Sequence, residues 1–525
     1  MRKSNFGFTI IELLVVIVII GILASITFVA YGSIQAKVID ESVATDVLRM
    51  GSAQLKYKTD TGVSGKAYYS GSATDTSGLG FKPNSGNVID VVTNSTGYCI
   101  RGYNIKGTKN SIYNPSIEES TPGICNQIAA SAAAIADSPA AAPGKTWSSI
   151  SAGRYNICGI ASDNNAYCWG FNSDGQLGNN STTQSGIPVA VNATGVLSGK
   201  TIKSISAGWA YTCAIASDNN AYCWGENDDG ALGNNSTTPS LVPVAVDTTG
   251  VLSGKTIKSI ATGEYHTCAI ASDNNIYCWG RNSAGQLGNN STTDSHVPVA
   301  VNTAGVLSGK TIKSISIGYA YSCAVASDNN AYCWGHNAYG QLGNNSMTNS
   351  SVPVAVVATG VLSGKTIKSL SSGEWYTCAI ASDDKAYCWG DNSYGELGNN
   401  STTQSSVPVA VTTTGVLSGK TVKAMSALVD SSCAIASDNQ SYCWGYNGNG
   451  QLGNNSSVNS SVPVAVNTAG VLNGKTILNI AIGGPHACAL ASDNQAYCWG
   501  NDGFGELGDN TTNNSLVPVA AVHLP

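Results

Sequence analysis

From residue 158 onward, a pair of cysteines recurs every 55 residues without a break. Cys158, Cys213, Cys268, Cys323, Cys378, Cys433 and Cys488 mark seven units. Ten residues after each comes a second cysteine inside Tyr-Cys-Trp-Gly: Cys168, Cys223, Cys278, Cys333, Cys388, Cys443 and Cys498. A fixed period of this length makes each unit one supersecondary piece. Such a piece cannot bury its apolar face alone, so neighbours must stack into a shared core.

One unit, residues 199–246, reads GKTIKSISAGWAYTCAIASDNNAYCWGENDDGALGNNSTTPSLVPVAV. Four short β-prone runs stand out in it: Thr201–Ser206, Tyr211–Ala216, Ala221–Trp224 and Val242–Val246. Turn-rich segments of Gly, Asn, Asp and Ser separate them. Four antiparallel strands repeated radially predict a mainly β fold over residues 145–525, a seven-bladed β-propeller. Closure follows from the ends of the array. The first unit begins at Lys145-Thr146-Trp147 with no Pro-Val-Ala-Val run before it, and Pro518–Ala521 stands over at the end. The expectation is that this last strand joins the first blade and leaves no open edge.

The run Cys-Trp-Gly-x-Asn-x-x-Gly-Gln-Leu-Gly, as at Cys278 to Gly288, resembles the RCC1 (regulator of chromosome condensation) repeat. The resemblance covers about 145–525 and all seven units. It implies a rigid scaffold that binds other proteins through one face, and it does not fix the target.

The cysteine spacing has its own consequence. With Ser217-Asp218-Asn219-Asn220 as a turn, Cys213 and Cys223 fall opposite each other on adjacent antiparallel strands. Opposed Cα atoms lie about 4.5 Å apart in a non-hydrogen-bonded pair, at the low end of the disulfide range. Seven such staples are expected, one per unit. The alternatives are buried free thiols or, less favoured, a zinc site. The spacing is not Cys-x-x-Cys, and no histidine recurs with it.

The units are nearly identical, so the positions that differ stand out. One variable cluster follows the first strand and contains Tyr155, Trp209, Tyr211, Tyr265, His266, Tyr319, Tyr321, Trp375 and Tyr376. The other follows Trp-Gly and contains Phe171, Tyr339, Tyr394, Tyr446 and Phe504. Strand direction sends both clusters to the same end of the propeller. Variable loops on a rigid scaffold are where binding usually resides, and Tyr and Trp are the residues interfaces favour. Drift on a solvated surface would instead enrich Ser, Thr, Asn and Lys. This end is the expected binding face.

The other constraint is at the N-terminus. A short leader carrying Arg2 and Lys3 ends at Gly7, and an apolar run broken only by Glu12 extends from Phe8 to Val29. As a helix, that run is roughly 33 Å long, enough to span a bilayer. A carboxylate inside such a helix costs about 2.5–3.5 kcal/mol at its centre, so Glu12 reads as functional. A secretory signal places its cleavage site after the apolar core. Here Gly7 precedes it. The segment GFTIIELLVVIVIIGILASI closely resembles the type IV prepilin signal. That resemblance implies cleavage between Gly7 and Phe8 by a prepilin peptidase and N-methylation of the Phe8 amine. It also implies that Glu12 pairs with the Phe8 amine of a neighbouring pilin subunit during assembly. A plain membrane anchor with an incidental glutamate is the simpler alternative.

The amphipathic pattern continues to about Lys58, and Gly62, Gly65, Gly71 and Gly78 break it. Strand-like runs follow near Val88–Val92 and Tyr98–Tyr103. Residues 8–126 thus resemble one small α+β pilin domain with a long hydrophobic helix, 8–29 being the transmembrane or filament-core part. Within that resemblance, Cys99 and Cys125 look like the disulfide that closes a pilin's C-terminal loop. Residues 127–144, rich in Ala and Pro, read as a linker.

Composition narrows the function. Net charge is −6 with no basic run, which disfavours nucleic acid as partner. None of the five histidines, His266, His296, His336, His486 and His523, sits in a metal-ligand spacing, and no Gly-x-Ser-x-Gly elbow is present. No catalytic residue, metal or cofactor is expected. The sequence therefore predicts a minor or tip type IV pilin that is not an enzyme and uses its propeller for adhesion or surface recognition. The expected location is the bacterial inner membrane before assembly and the pilus or cell surface afterwards. The expected ligand is a surface protein or glycan. The alternatives are a major structural pilin of a decorated filament or a pseudopilin of a type II secretion-like system.

Overall fold

The computed structural model describes residues 145–522 and Leu524, together with the backbone of four strands nearer the N-terminus. The leader 1–7 with Gly7, the apolar run from Phe8 with Glu12, the linker 127–144, Cys125 and the side chain of Cys99 lie outside the described residues. Among the described residues, no helix is long and apolar enough to cross a membrane.

The chain divides into two compact units, Met1–Ala142 and Pro143–Pro525. In the first, strands β1 (Gly71–Ala73), β2 (Asn87–Asn94), β3 (Gly97–Asn104) and β4 (Asn110–Tyr113) form one antiparallel sheet in chain order. The β2–β3 pairing runs from Asn87 opposite Asn104 to Asn94 opposite Gly97, which makes the two strands a tight hairpin.

The second unit is a seven-bladed β-propeller. Its first blade consists of β5 (Trp147–Ala152), β6 (Asn156–Ala161), β7 (Ala166–Gly170) and β8 (Ser185–Ala190), paired antiparallel in that order. The same four-stranded sheet recurs at 202–245, 257–300, 312–355, 367–410, 422–465 and 477–520. The turn between second and third strands needs a residue in the left-handed region. Asparagine, which tolerates that conformation, supplies it at Asn164 (φ 60°) and Asn219 (φ 63°). Each outermost strand carries a proline, Pro188 in β8. It falls where the register with β7 shifts, so the missing N–H costs no ladder bond.

The second and third strands are buried along their whole length, and each pair is crossed by a disulfide. Cys213 lies directly opposite Cys223, and the seven bridges hold Cα atoms 4.0–4.1 Å apart.

Blade-to-blade packing explains the rest of the repeat. The Tyr-Cys-Trp-Gly tryptophans are among the largest fully buried side chains. Each such ring contributes about 2–3 kcal/mol of apolar burial. Their indole N–H groups donate to a carbonyl of the preceding blade: Trp224 to Gln176 and Trp279 to Ala231, both at 2.9 Å. The glycine ending Gly-Gln-Leu-Gly makes room for that indole. At Gly178 (φ +66°) a Cβ would lie 2.6 Å from Trp224 Nε1. The asparagine of the motif fixes the loop between: Asn172 Nδ2 donates to the Ser181 and Thr183 carbonyls, and its Oδ1 accepts from Leu177 N–H.

Ring closure differs from the sequence expectation. No strand is exchanged between the chain ends. The Pro-Val-Ala run of the first unit, in β8, pairs with β7 of its own blade, and the strand Ser515–Ala520 pairs within the seventh. Every unit holds four strands in phase, so none is left over. The seam is an ordinary interface between blades. Trp169 Nε1 donates to the Glu506 carbonyl at 2.9 Å, and Trp147 N–H to the Asn494 carbonyl at 2.9 Å. Trp147 and Trp169 pack with Ala481, Cys488 and Leu490 in one core cluster.

Candidate binding face

The loop between first and second strands brings one residue per blade to the propeller axis: Arg154, Trp209, Glu264, Tyr319, Glu374, Val429 and Gly484. Backbone bonds link five of the seven neighbouring loop pairs. Arg154 N–H donates to the Gly208 carbonyl, Trp209 N–H to Gly263, and Gly484 N–H to Arg154, at 3.0–3.2 Å. The varying side chains are therefore displayed from a fixed backbone.

The aromatic side chains from both variable loops meet at this end. Tyr155, Phe171 and Phe504 form one cluster across the seam, with Phe171 and Phe504 centroids 4.7 Å apart. A second cluster centres on Trp375, which lies 4.4 Å from Tyr319, 4.8 Å from His336 and 5.5 Å from Tyr339. Tyr319 also meets Trp209 at 6.1 Å and Tyr265 at 5.9 Å. Tyr394 and Tyr446 form a third pair at 5.0 Å, and Tyr394 is 42% exposed. Arg154 lies 3.1 Å over the Trp209 ring, and Arg281 lies 5.2 Å over Tyr265. Such contacts hold the rings in fixed positions.

Four residues expected on the face are not there. Tyr211, His266 and Tyr321 are fully buried, and Tyr376 is 1% exposed. Each opens a second strand and points into the next blade. The Tyr211 hydroxyl donates to the His266 carbonyl and the Tyr376 hydroxyl to the Ser431 carbonyl, both at 2.6 Å. The Tyr321 hydroxyl donates to the Tyr376 carbonyl, and His266 Nε2 pairs with Ser322 Oγ at 2.9 Å. These side chains join blades. Variation between copies marked them because contacts between blades also differ from one interface to the next.

The sequence places Glu226, Glu264 and Glu374 among the varying positions of this end, but the burial of its acids shows only in the fold. Burial raises Glu264 to about 8, Glu396 to about 8, and Glu226 and Glu506 to about 7. Burial raises Asp430 to about 6, with neighbouring Glu374 and Asp391 adding to the effect. Glu264 Oε2, Glu226 Oε2, Glu396 Oε1 and Glu506 Oε1 have no hydrogen-bond partner. A signal for their position was available: the axial column at 55-residue spacing reads Arg, Trp, Glu, Tyr, Glu, Val, Gly, charged and aromatic at the crowded centre of the ring. Among the described residues, no group of three or more His, Cys, Asp or Glu is placed to hold a metal ion.

Comparison with known proteins agrees with this architecture. The family model of the RCC1-like domain matches residues 122–486, and that of the RCC1 repeat matches 477–506. The chain belongs to the RCC1-like domain family. The prokaryotic N-terminal methylation motif matches residues 2–28, so a pilin-type processing signal and an RCC1-like propeller share one polypeptide. The ultraviolet-B receptor UVR8 of Arabidopsis thaliana is 30% identical over 68% of this chain and 78% of its own length. The human E3 ubiquitin-protein ligase HERC2 is 28% identical over 66% of this chain, which spans only 7% of that protein. Among solved structures, human WBSCR16 superposes with a TM-score of 0.59 at 20% identity, covering 68% of this chain and 93% of that one. Prp20p of Saccharomyces cerevisiae gives 0.58 at 20%, covering 71% and 87%. Both show the shared fold alone.

Proposed function

We propose that this chain is a minor or tip type IV pilin subunit whose propeller binds a surface protein or glycan. In this reading, residues 1–7 are removed, 8–126 form the pilin domain with 8–29 in the membrane and then in the filament core, 127–144 tether, and 145–525 bind. The mature chain enters the filament through Phe8 and Glu12 beside other pilin subunits. It acts by binding, not by catalysis.

The observation that carries this reading is the gathering of Tyr, Trp and Phe side chains at one end of a propeller that follows a methylation motif. Size favours a minor or tip position over a major pilin. A compact body of about 380 residues has a radius of gyration near 21 Å, and one on every subunit would crowd a thin fibre. A pseudopilin role gains no support from so large an appended body. The test is to change Trp209, Tyr319 and Trp375 together to Ala in the filament-displayed protein. Attachment of cells to the target surface is expected to fall while filament number stays constant. Undiminished attachment refutes the binding face.

A further inference from the structure

A hollow opens on the axis at the aromatic end. Its lining includes Arg154, Trp209, Glu264, Tyr319, Glu374 and Val429, and its volume is about 30 Å³. Glu264 is 4% exposed, and its Oε2 has no hydrogen-bond partner. The reason for its burial is visible. Trp209 and Tyr319 come from the blades on either side, and their rings meet at 6.1 Å, closing over the blade that carries Glu264. The Tyr265 hydroxyl also bonds the Glu264 carboxylate. The nearest cation does not complete it. The Arg154 guanidinium lies against the Trp209 face at 3.1 Å, and its own Nη1 is without a partner.

Buried polar atoms are almost always hydrogen-bonded, so an orphan carboxylate oxygen on a residue that lines a hollow asks for a donor. The surroundings specify its kind. Aromatic faces attract a cation, and a carboxylate completes it with a charge-assisted hydrogen bond. We propose that the axial hollow binds an alkylammonium group that donates to Glu264 Oε2, with its stem against Trp209 and Tyr319. An acceptor carried on the same ligand falls to Arg154 Nη1. A lysine side chain of a partner protein and a free polyamine share this chemistry. The proposal rests on the aromatic end being the binding face and names what its centre takes.

The charged and titratable groups around Glu264 are Glu374, Arg154, Arg281, Tyr211, Tyr265 and Tyr319. Burial holds the Glu264 carboxyl up to about 8. Ammonium binding therefore releases a proton at neutral pH, and affinity rises with pH until about 8.

The test is calorimetric titration of the full chain in nonionic detergent. The probes are n-butylammonium, Nα-acetyl-lysine N-methylamide and spermidine, with n-butanol as the neutral control. The ammonium probes are expected to bind and butanol is not. Glu264→Gln is expected to weaken binding at least tenfold, and Glu374→Gln less. Glu506→Gln, a buried acid that does not line the hollow, should change nothing. Preference for the lysine amide assigns the site to a protein side chain, and preference for spermidine to a polyamine. Absence of binding by all three, or equal binding by Glu264→Gln, overturns the proposal. Glu264→Gln leaves the aromatic clusters in place. Loss of surface attachment in the Trp209/Tyr319/Trp375 variant with full attachment and unchanged ammonium affinity in Glu264→Gln would therefore refute the ammonium site and leave the face standing.

Discussion

Removing one bridge, by Cys268→Ala with Cys278→Ala, isolates the part the disulfides play. The two residues close a loop of sequence separation 10, with Cα atoms 4.1 Å apart. Chain entropy assigns such a loop about 9 cal/mol/K, or about 2.7 kcal/mol at 25 °C. The hairpin is already biased toward closure. Asn274 supplies the left-handed turn residue (φ 63°), and the Tyr277 hydroxyl bonds Asp273 at 2.7 Å. Residual closure of the unfolded chain lowers the entropic part to about 2 kcal/mol. Loss of two fully buried sulfur atoms adds about 1 kcal/mol of packing. The variant should lose about 3 kcal/mol in guanidinium unfolding under non-reducing conditions. Seven bridges together reach about 15–20 kcal/mol, more than the 5–15 kcal/mol by which a typical domain is stable. Complete reduction should therefore unfold the propeller, although the buried sulfurs react only after unfolding starts. A loss under about 0.5 kcal/mol, or a native melt with all seven bridges reduced, refutes the reasoning.

Other consequences follow from the interior. Gly343→Ala places a Cβ 2.6 Å from Trp389 Nε1 at a φ of +66° and should cost more than about 2 kcal/mol in the same assay. Tyr376→Phe leaves the Ser431 carbonyl without its donor and should cost about 1–2 kcal/mol with no change in surface attachment. Stability should depend on pH in a defined direction. Glu264 and Glu396, raised to about 8 from an ordinary 4.5, cost stability increasingly as pH climbs from about 4.5 to about 8. Burial lowers His266 and His486 from 6.5 to about 3, so each costs stability as pH falls below 6.5. Because Glu226 and Glu506, raised to about 7, act in the same direction as Glu264 and Glu396, the acids outnumber the two histidines, and the melting temperature should rise as pH falls from about 8 to about 5 and decline only below about 4.5. A melt that is highest at pH 9 contradicts this.

The blade was legible because its chemistry is local. A cysteine pair ten residues apart around Ser-Asp-Asn-Asn fixes the register of a hairpin, and each Trp-Gly needs a neighbour to cover its indole. Closure was misread because it depends on phase. A Pro-Val-Ala run stands in both the first unit and the last, and counting it once suggests an exchange that the pairing of Cys168 with Val189 removes. The face was legible as an end of the ring, but not residue by residue. Tyr155 and Tyr211 come from equivalent variable loops of neighbouring blades, yet one is partly exposed and the other passes under the next blade. That difference is set by where the second strand begins, two residues after the axial position. The burial of the acids at 264 and 396 is not legible in the sequence because their neighbours come from other blades.

One polypeptide joins a pilin-type N-terminus to the propeller, and the mature N-terminus tests this most directly. Filaments sheared from cells and purified should yield, by mass spectrometry, a chain that begins with N-methylated Phe8 and includes peptides from residues 145–525. A chain that begins at Met1, or propeller peptides absent from the sheared fraction, contradicts it.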